Sequence, residues 1–309
     1  MRTLILGAGA IGGYFGGRLA EAGADVTFLV RPGRAAQLAR DGLVVKSPLG
    51  DISRPVRFLT PDSLESEGRY EFVLLTCKSY DLEAAIAVIA PAIRRGAAVL
   101  PLLNGIRHLD RLDLAFGPAA VLGGMCQIAA TLSPTGEVLH LNKLHNLVIG
   151  PRAPYQMPLA QAFAADAQNA RFDFRLSDDI PQDMWEKFVM LTTMAAMTCL
   201  MRAPVGDIME TDDGERLMGE TLEECDLVAH AAGHRPRARF LDQARAILTE
   251  RGSTFAASML RDVERGGPTE APHIVGDMLA RAREAGLSTP LLRVAWCHLQ
   301  THEVGRPRG

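Results

Sequence analysis

A small set of polar side chains sits in otherwise apolar surroundings. Lys187 lies in Trp185-Glu186-Lys187-Phe188, at the start of a helical stretch that carries no further charge through Met201. Met190, Leu191 and Met194 follow it at three, four and seven residues, so the face it shares should be buried. Burial disfavours the ammonium form and makes a lysine a better proton donor near neutral pH. The same pattern also suits a stem packed on apolar surface with its head in water, and both readings stand. Lys78 comes just past the apolar run Phe72 to Thr76, and Asn104 takes the corresponding place after the next run, in Leu102-Leu103-Asn104-Gly105. The carboxyl ends of parallel strands are where open sheets bind ligands, although Asn-Gly is also a common turn. Ser258 lies in Ala256-Ala257-Ser258-Met259, and Glu270 follows Pro268-Thr269 at the expected start of a helix, which alone would stabilise a carboxylate. Reducing a carbonyl by hydride transfer needs a proton donor for the oxygen and polar groups that hold the substrate. These residues could supply both.

The hydride needs a carrier. Gly7, Gly9 and Gly12 form G-x-G-x-x-G, with Ala8, Ala10 and Ile11 between them, after the β-type run Thr3 to Leu6 and at the opening of a helical one. In that context the first glycine permits a tight turn, the second lets the backbone approach a pyrophosphate, and the third allows helix and strand to pack closely. Free N–H groups of Ala10, Ile11 and Gly12 would then face the anion. The second strand ends Phe28-Leu29-Val30-Arg31 with no carboxylate, and Arg34 follows in what reads as a short Pro-Gly turn. Arginine accommodates a 2′-phosphate where an acidic residue would bind the 2′-hydroxyl, so NADPH/NADP+ is expected rather than NAD.

These residues need a scaffold, and two domains are expected: an NADP-binding domain over 1–178 and an all-helical substrate and catalytic domain over 179–309. In the first, candidate strands Thr3 to Leu6, Asp25 to Val30, Phe72 to Thr76, Ala97 to Leu100 and Ala120 to Gly123 alternate with helices such as Ile11 to Ala22 and Leu82 to Ala90. That is the pattern of an α/β, Rossmann-type doubly wound parallel sheet. Gly42 to Phe58 and Gln127 to Ile149 have β composition broken by Pro and Gly, which suggests antiparallel hairpins added to the sheet edge. Beyond Pro181 the signals are helical, with Gly233 and Gly286 as stops and Thr289-Pro290 as N-cap and first position.

Composition narrows the classes further. With 48% hydrophobic residues, 22% charged residues and a net charge of -3, neither disorder nor a polyanionic partner such as nucleic acid is indicated. Five widely spaced cysteines without a C-x-x-C argue against disulfides or zinc, and no His spacing suggests a metal. Most of the histidines, a set that includes His108, His140 and His145, read as hairpin or surface residues and not as catalysts. No leader precedes the glycine turn, and Phe188 to Leu200 is too short to span a bilayer, so a cytoplasmic protein without membrane contact is expected. The apolar content of the helical half is compatible with a homodimer.

Taken in order, the glycine motif, Arg31, Lys78, Asn104-Gly105, Trp185-x-Lys187, Ser258-Met259 and Thr269-Glu270 resemble the ketopantoate reductase family over nearly the whole chain. The resemblance implies NADPH-dependent reduction of a 2-oxo acid, in the first instance 2-dehydropantoate to pantoate on the route to pantothenate. It implies Lys187 as the general acid, with Lys78 and Asn104 positioning cofactor and substrate. Ser258 and Glu270 would contact the substrate, Glu270 counting with Lys187 as catalytic. The family usually carries asparagines four and eight residues after the lysine, whereas this chain has Leu191 and Ala195. That departure points to a different 2-oxo acid, more apolar or lacking the 4-hydroxyl. Short-chain dehydrogenases would need Tyr-x-x-x-Lys, which none of the four tyrosines begins. The β-hydroxyacid dehydrogenases would need a glycine-rich approach to Lys187 that Asp179 to Glu186 lacks. A non-catalytic NADP-binding sensor would keep Arg31 and the glycines without needing Lys187 and Glu270.

Overall fold

The computed structural model describes residues 1–306. They divide into two compact units, one of Met1–Leu103 and His108–Ile180, the other of Asn104–Arg107 with the chain from Pro181 onward.

The first unit is built on β1 (Arg2–Leu6), α1 (Ala10–Glu21), β2 (Asp25–Leu29), α2 (Pro32–Asp41), β3 (Leu43–Lys46), β4 (Ile52–Arg54), β5 (Arg57–Leu59), β6 (Phe72–Leu75), α3 (Leu82–Arg94), β7 (Ala98–Pro101) and α4 (Arg107–Phe116). It closes with β8 (Gly123–Leu132), β9 (Val138–Gly150), α5 (Met157–Ala167) and β10 (Asp173–Leu176). Five parallel strands make the main sheet in the order β5-β2-β1-β6-β7. Its central strands read as unbroken apolar runs because both faces are covered. Alternate residues divide between two cores. Ile5, Phe72 and Leu74 join one with Tyr14, Phe15 and Leu19 of α1, while Leu4, Val73 and Leu75 join the other with Leu82, Ala85 and Ile89 of α3.

Two expectations are corrected here. The β-rich stretches do form antiparallel hairpins, β3–β4 and β8–β9, but these do not extend the edge of the main sheet. They form a second five-stranded sheet in the order β10-β9-β3-β4, with β8 antiparallel to β9 and both β3 and β10 parallel to β9. Its apolar side chains Leu43, Val45, Val138, Leu147 and Ile149 share a core with α1, so they form a face stacked on a helix instead of extending an edge. Only β5, from the first of these stretches, joins the main sheet, parallel to β2. The expected strand at 120–123 is also absent: a 3-10 turn covers Pro118–Ala120, Val121 makes a single bridge to Val99, and β8 starts at Gly123.

The second unit contains α6 (Ile180–Met201), α7 (Val205–Met209), α8 (Gly214–Ala231), α9 (Ala238–Leu248), α10 (Ser258–Glu264), α11 (Val275–Glu284) and α12 (Pro290–Gly305), with no strand among the described residues. The expected stops hold, since Gly233 and Gly286 stand one residue past the C-caps of α8 and α11. Thr289 takes the N-cap position of α12, but its side chain makes no capping bond. The Glu224 carboxylate of α8 accepts the Leu291 and Leu292 amides instead, both at 2.9 Å. No helix among the described residues is long and apolar enough to cross a membrane.

Candidate active site

The glycine turn is shaped by three local demands. Gly7 has φ +94°, a conformation L side chains rarely adopt, and its amide donates to Leu29 O at 2.9 Å, which aligns the end of β1 with the end of β2. At Gly12 a Cβ would collide with the Gly7 carbonyl oxygen and Thr76 Oγ1, so only glycine lets α1 approach the turn. Thr76 Oγ1 donates to Leu6 O at 2.8 Å and anchors that side. Gly9 is the N-cap of α1 and has no side-chain cap, the first turn of α1 has no acidic residue, and a Cβ on Gly9 would meet no protein atom within 4 Å. The amides of Ala10, Ile11 and Gly12 therefore open the helix beside unfilled space, a cradle suited to an anion. Gly7, Ala8 and Gly9 line a cleft of about 500 Å³ together with Val30, Arg31, Thr76 and Asp81. The residues present fit a dinucleotide whose pyrophosphate rests on the start of α1.

The two arginines have different fates. Arg31 is the N-cap residue of α2, its side chain is 82% exposed, and its Nη2 lies 3.4 Å from Asp81 Oδ1. Arg34, expected in a short turn as a second phosphate ligand, instead lies in the first turn of α2, where Pro32 opens the helix. Its guanidinium is spent on the protein itself. Nε and Nη2 donate to Ala8 O at 3.1 and 2.7 Å, and Nη1 donates to Gln37 Oε1 and Gly136 O, both at 2.6 Å. Arg34 thus ties the glycine turn to the β8–β9 connection. Lys78 is exposed at the carboxyl end of β6, just before the 3-10 turn Ser79–Asp81. Asp81, three residues past Lys78, also lines the cleft, and the only mark of it in the sequence is a carboxylate close behind that lysine.

In the helical unit, Lys187 sits two turns into α6, half-buried, and its Nζ donates to Asn104 Oδ1 at 3.3 Å. Asn104 is held by its neighbour, because Gly105 has φ +77° and a Cβ there would collide with the His273 carbonyl oxygen. The Asn104–Gly105 turn therefore rests directly on the Ala271–His273 segment. Glu270, only 5% exposed, precedes that segment. It does not start an α-helix as expected, since Ala271–His273 is a single 3-10 turn and α11 begins at Val275; Pro272 and the non-helical backbone of Ile274 (φ -113°, ψ -83°) separate them. The helix-terminus explanation for its carboxylate is therefore weakened.

The start of α6 is braced. Glu186 Oε1 accepts both the amide and Nε of Arg237 at 2.8 Å, and Asp183 binds the same guanidinium. These bonds to Glu186 and Asp183 raise the Arg237 pKa. Trp185 stacks on His234 with ring centroids 5.4 Å apart, and the Arg281 guanidinium lies 5.4 Å from the centroid of the same Trp185 ring.

Lys187, Asn104 and the Glu270 turn are thus gathered in one place. Ser258 is not part of that cluster by contact: it is the exposed first residue of α10, and its neighbour Ala257 donates its amide to Thr198 Oγ1 at 3.5 Å. Thr198 lies eleven residues beyond Lys187, about 16 Å along the axis of α6. Leu191 is half-buried and Ala195 wholly buried on the same helix. His140 bonds Ser47 Oγ at 2.8 Å and Leu144 O at 3.0 Å, and His145 bonds the Tyr14 hydroxyl at 2.8 Å, so both belong to the β9 framework. His108 is buried in α4. Among the described residues no group of three or more His, Cys, Asp or Glu is placed to hold a metal ion.

Comparison with known proteins matches residues 3–154 to the family described as ketopantoate reductase PanE/ApbA, and residues 179–303 to its C-terminal domain. The chain is 32% identical over 304 residues to the uncharacterized oxidoreductase YkpB of Bacillus subtilis, covering 98% of this chain and 99% of that one. Its fold is similar to the PanE/ApbA family ketopantoate reductase of Ralstonia eutropha, with a TM-score of 0.88 and 27% identity over 99% of each chain. A D-mandelate dehydrogenase, solved with NADH and anilino(oxo)acetate, shares the fold at a TM-score of 0.87 and 19% identity, over 98% of this chain and 99% of that one. The glycine cradle falls inside the first family match and Lys187 inside the second, and the chain belongs to the ketopantoate reductase family of NADPH-dependent oxidoreductases.

Proposed function

We infer that the protein reduces a 2-oxo acid to the corresponding 2-hydroxy acid. The observation that carries this reading is the bond from Lys187 Nζ to Asn104 Oδ1. NADPH, when bound, supplies the hydride that adds to the carbonyl carbon. Lys187 then has one task, to give a proton to the carbonyl oxygen as it becomes an alkoxide, and solvent restores that proton afterwards. The bond to Asn104 fixes the direction of the Lys187 ammonium, a group with three N–H donors. Gly7, Gly9, Ala10, Ile11 and Gly12 hold the pyrophosphate, and Arg31 reads the 2′-phosphate. Lys78 and Asn104 are assigned to orient cofactor and substrate. Glu270, buried on the turn against which Asn104-Gly105 rests, accepts a substrate hydrogen bond, and Ser258 contacts the substrate from α10.

The family's named substrate, 2-dehydropantoate, is the first candidate. A second reading, a more apolar 2-oxo acid, is favoured by Leu191 and Ala195 on the helix that carries Lys187. Replacing a hydrogen-bonding residue with leucine would leave a polar substrate group unpaired, at a cost of about 1–3 kcal/mol. The test is a panel of 2-oxo acids, 2-dehydropantoate included, mixed with purified protein and NADPH while nicotinamide absorbance is followed. Turnover with none of them despite tight NADPH binding would reject the enzyme and favour a cofactor sensor. Turnover of apolar acids alone would select the second reading.

A further inference from the structure

Arg31, assigned to the 2′-phosphate, is paired with a carboxylate that the hydride-transfer reading leaves without a role. Among the described residues, the charged ones that line the cleft are Arg31, Arg34 and Asp81. Arg34 is committed to Ala8 O, Gly136 O and Gln37, which leaves Arg31 as the cation facing the cleft and Asp81 as its carboxylate. The two meet at 3.4 Å across elements fifty residues apart, Arg31 after β2 and Asp81 after β6. Asp81 takes the N-cap position of α3, yet its carboxylate makes no capping bond to that helix. Its side chain is 41% exposed and that of Arg31 is 82% exposed, so the pair opens easily.

We propose that Asp81 sets the choice between NADPH and NADH, and that the protein accepts both. This rests on the dinucleotide reading of the cleft. Arg31 attracts a 2′-phosphate, but that phosphate has to displace Asp81 from the guanidinium and then lie beside a negative charge. With a free 2′-hydroxyl the balance reverses, because a carboxylate accepts a hydrogen bond from the ribose and Arg31 remains paired. Asp81 therefore penalises the phosphorylated cofactor and supports the unphosphorylated one, and the pair reads either.

The experiment is a titration of the full-length protein with NADPH and separately with NADH, following nicotinamide fluorescence, for wild type and Asp81→Asn. Asparagine keeps the size of the side chain and removes its charge, and Asp81→Ser serves as a second variant should the first fold poorly. Wild type should bind both cofactors, and each variant should shift the ratio of the two dissociation constants toward NADPH by about five- to tenfold. A purely structural role would weaken both cofactors equally and leave the ratio unchanged, which would overturn the proposal. A wild type that binds NADPH and shows no NADH binding would overturn it too. Binding of neither cofactor would overturn the dinucleotide reading itself, and this assignment with it.

Discussion

Lys187 and Asn104, 83 residues apart in sequence, are joined by a hydrogen bond from Nζ to Oδ1 at 3.3 Å. The bond fixes where a half-buried ammonium points, and a proton donor is effective only within reach of the oxygen it serves. Lys187→Ala should lower kcat by about 10²- to 10⁴-fold while leaving NADPH affinity nearly intact, as measured by steady-state kinetics beside a cofactor titration. Equal loss of both would show that the lysine belongs to cofactor binding.

Gly105 offers a separate test of the same pair. Its φ of +77° and the proximity of the His273 carbonyl oxygen leave no room for a Cβ. Gly105→Ala should cost about 1–3 kcal/mol of stability and reduce kcat through displacement of Asn104. Thermal unfolding reads the first effect and kinetics the second; a variant with wild-type values for both would mean that the turn does not place Asn104.

Arg31 and Arg34 should respond in opposite ways. Arg31→Asp replaces a positive charge with a negative one where the 2′-phosphate is assigned and should weaken NADPH far more than NADH. Arg34→Ala removes bonds to Ala8 O, Gly136 O and Gln37 and should lower stability by about 1–3 kcal/mol, with both cofactors affected alike. A cofactor-selective loss in Arg34→Ala would restore it to phosphate binding.

Acid sensitivity should come from β9. Burial holds the His140 and His145 imidazoles below their ordinary value of 6.5, with nearby Asp173 partly offsetting this for His145 and Arg18 adding to the lowering for both. The unfolded chain then binds protons that the folded chain does not. Stability from these two groups is full above pH 6.5 and is lost as pH falls from there toward their lower folded values. His145→Gln should flatten the acid slope of the thermal midpoint; an unchanged slope would place the sensitivity elsewhere.

How much of this was written in the sequence depends on how local each feature is. The glycine turn and the helical half are local patterns, three glycines after an apolar run and apolar periodicity without strand signals, and both stand as expected. The second sheet was not legible, because its β3–β9 pairing joins residues 45–46 to 138–139, and composition carries no information about which distant strands meet. The fate of Arg34 was hidden for a related reason. Its carbonyl partners at Ala8 and Gly136 are backbone groups, which every residue has, so nothing in their side chains announces them. Asp81 was visible as a residue but not as a neighbour of Arg31.

The Arg34 contacts also have a dynamic consequence. One guanidinium holds the Ala8 carbonyl of the glycine turn and the Gly136 carbonyl of the β8–β9 connection, and Gln37 on the same helix donates to Thr135 O. Local opening of the turn must release these restraints, so the three segments should open together in amide exchange. Protection from a bound dinucleotide should then spread beyond the residues it touches, slowing exchange at the 133–137 connection more than a hundred residues along the chain from the cradle.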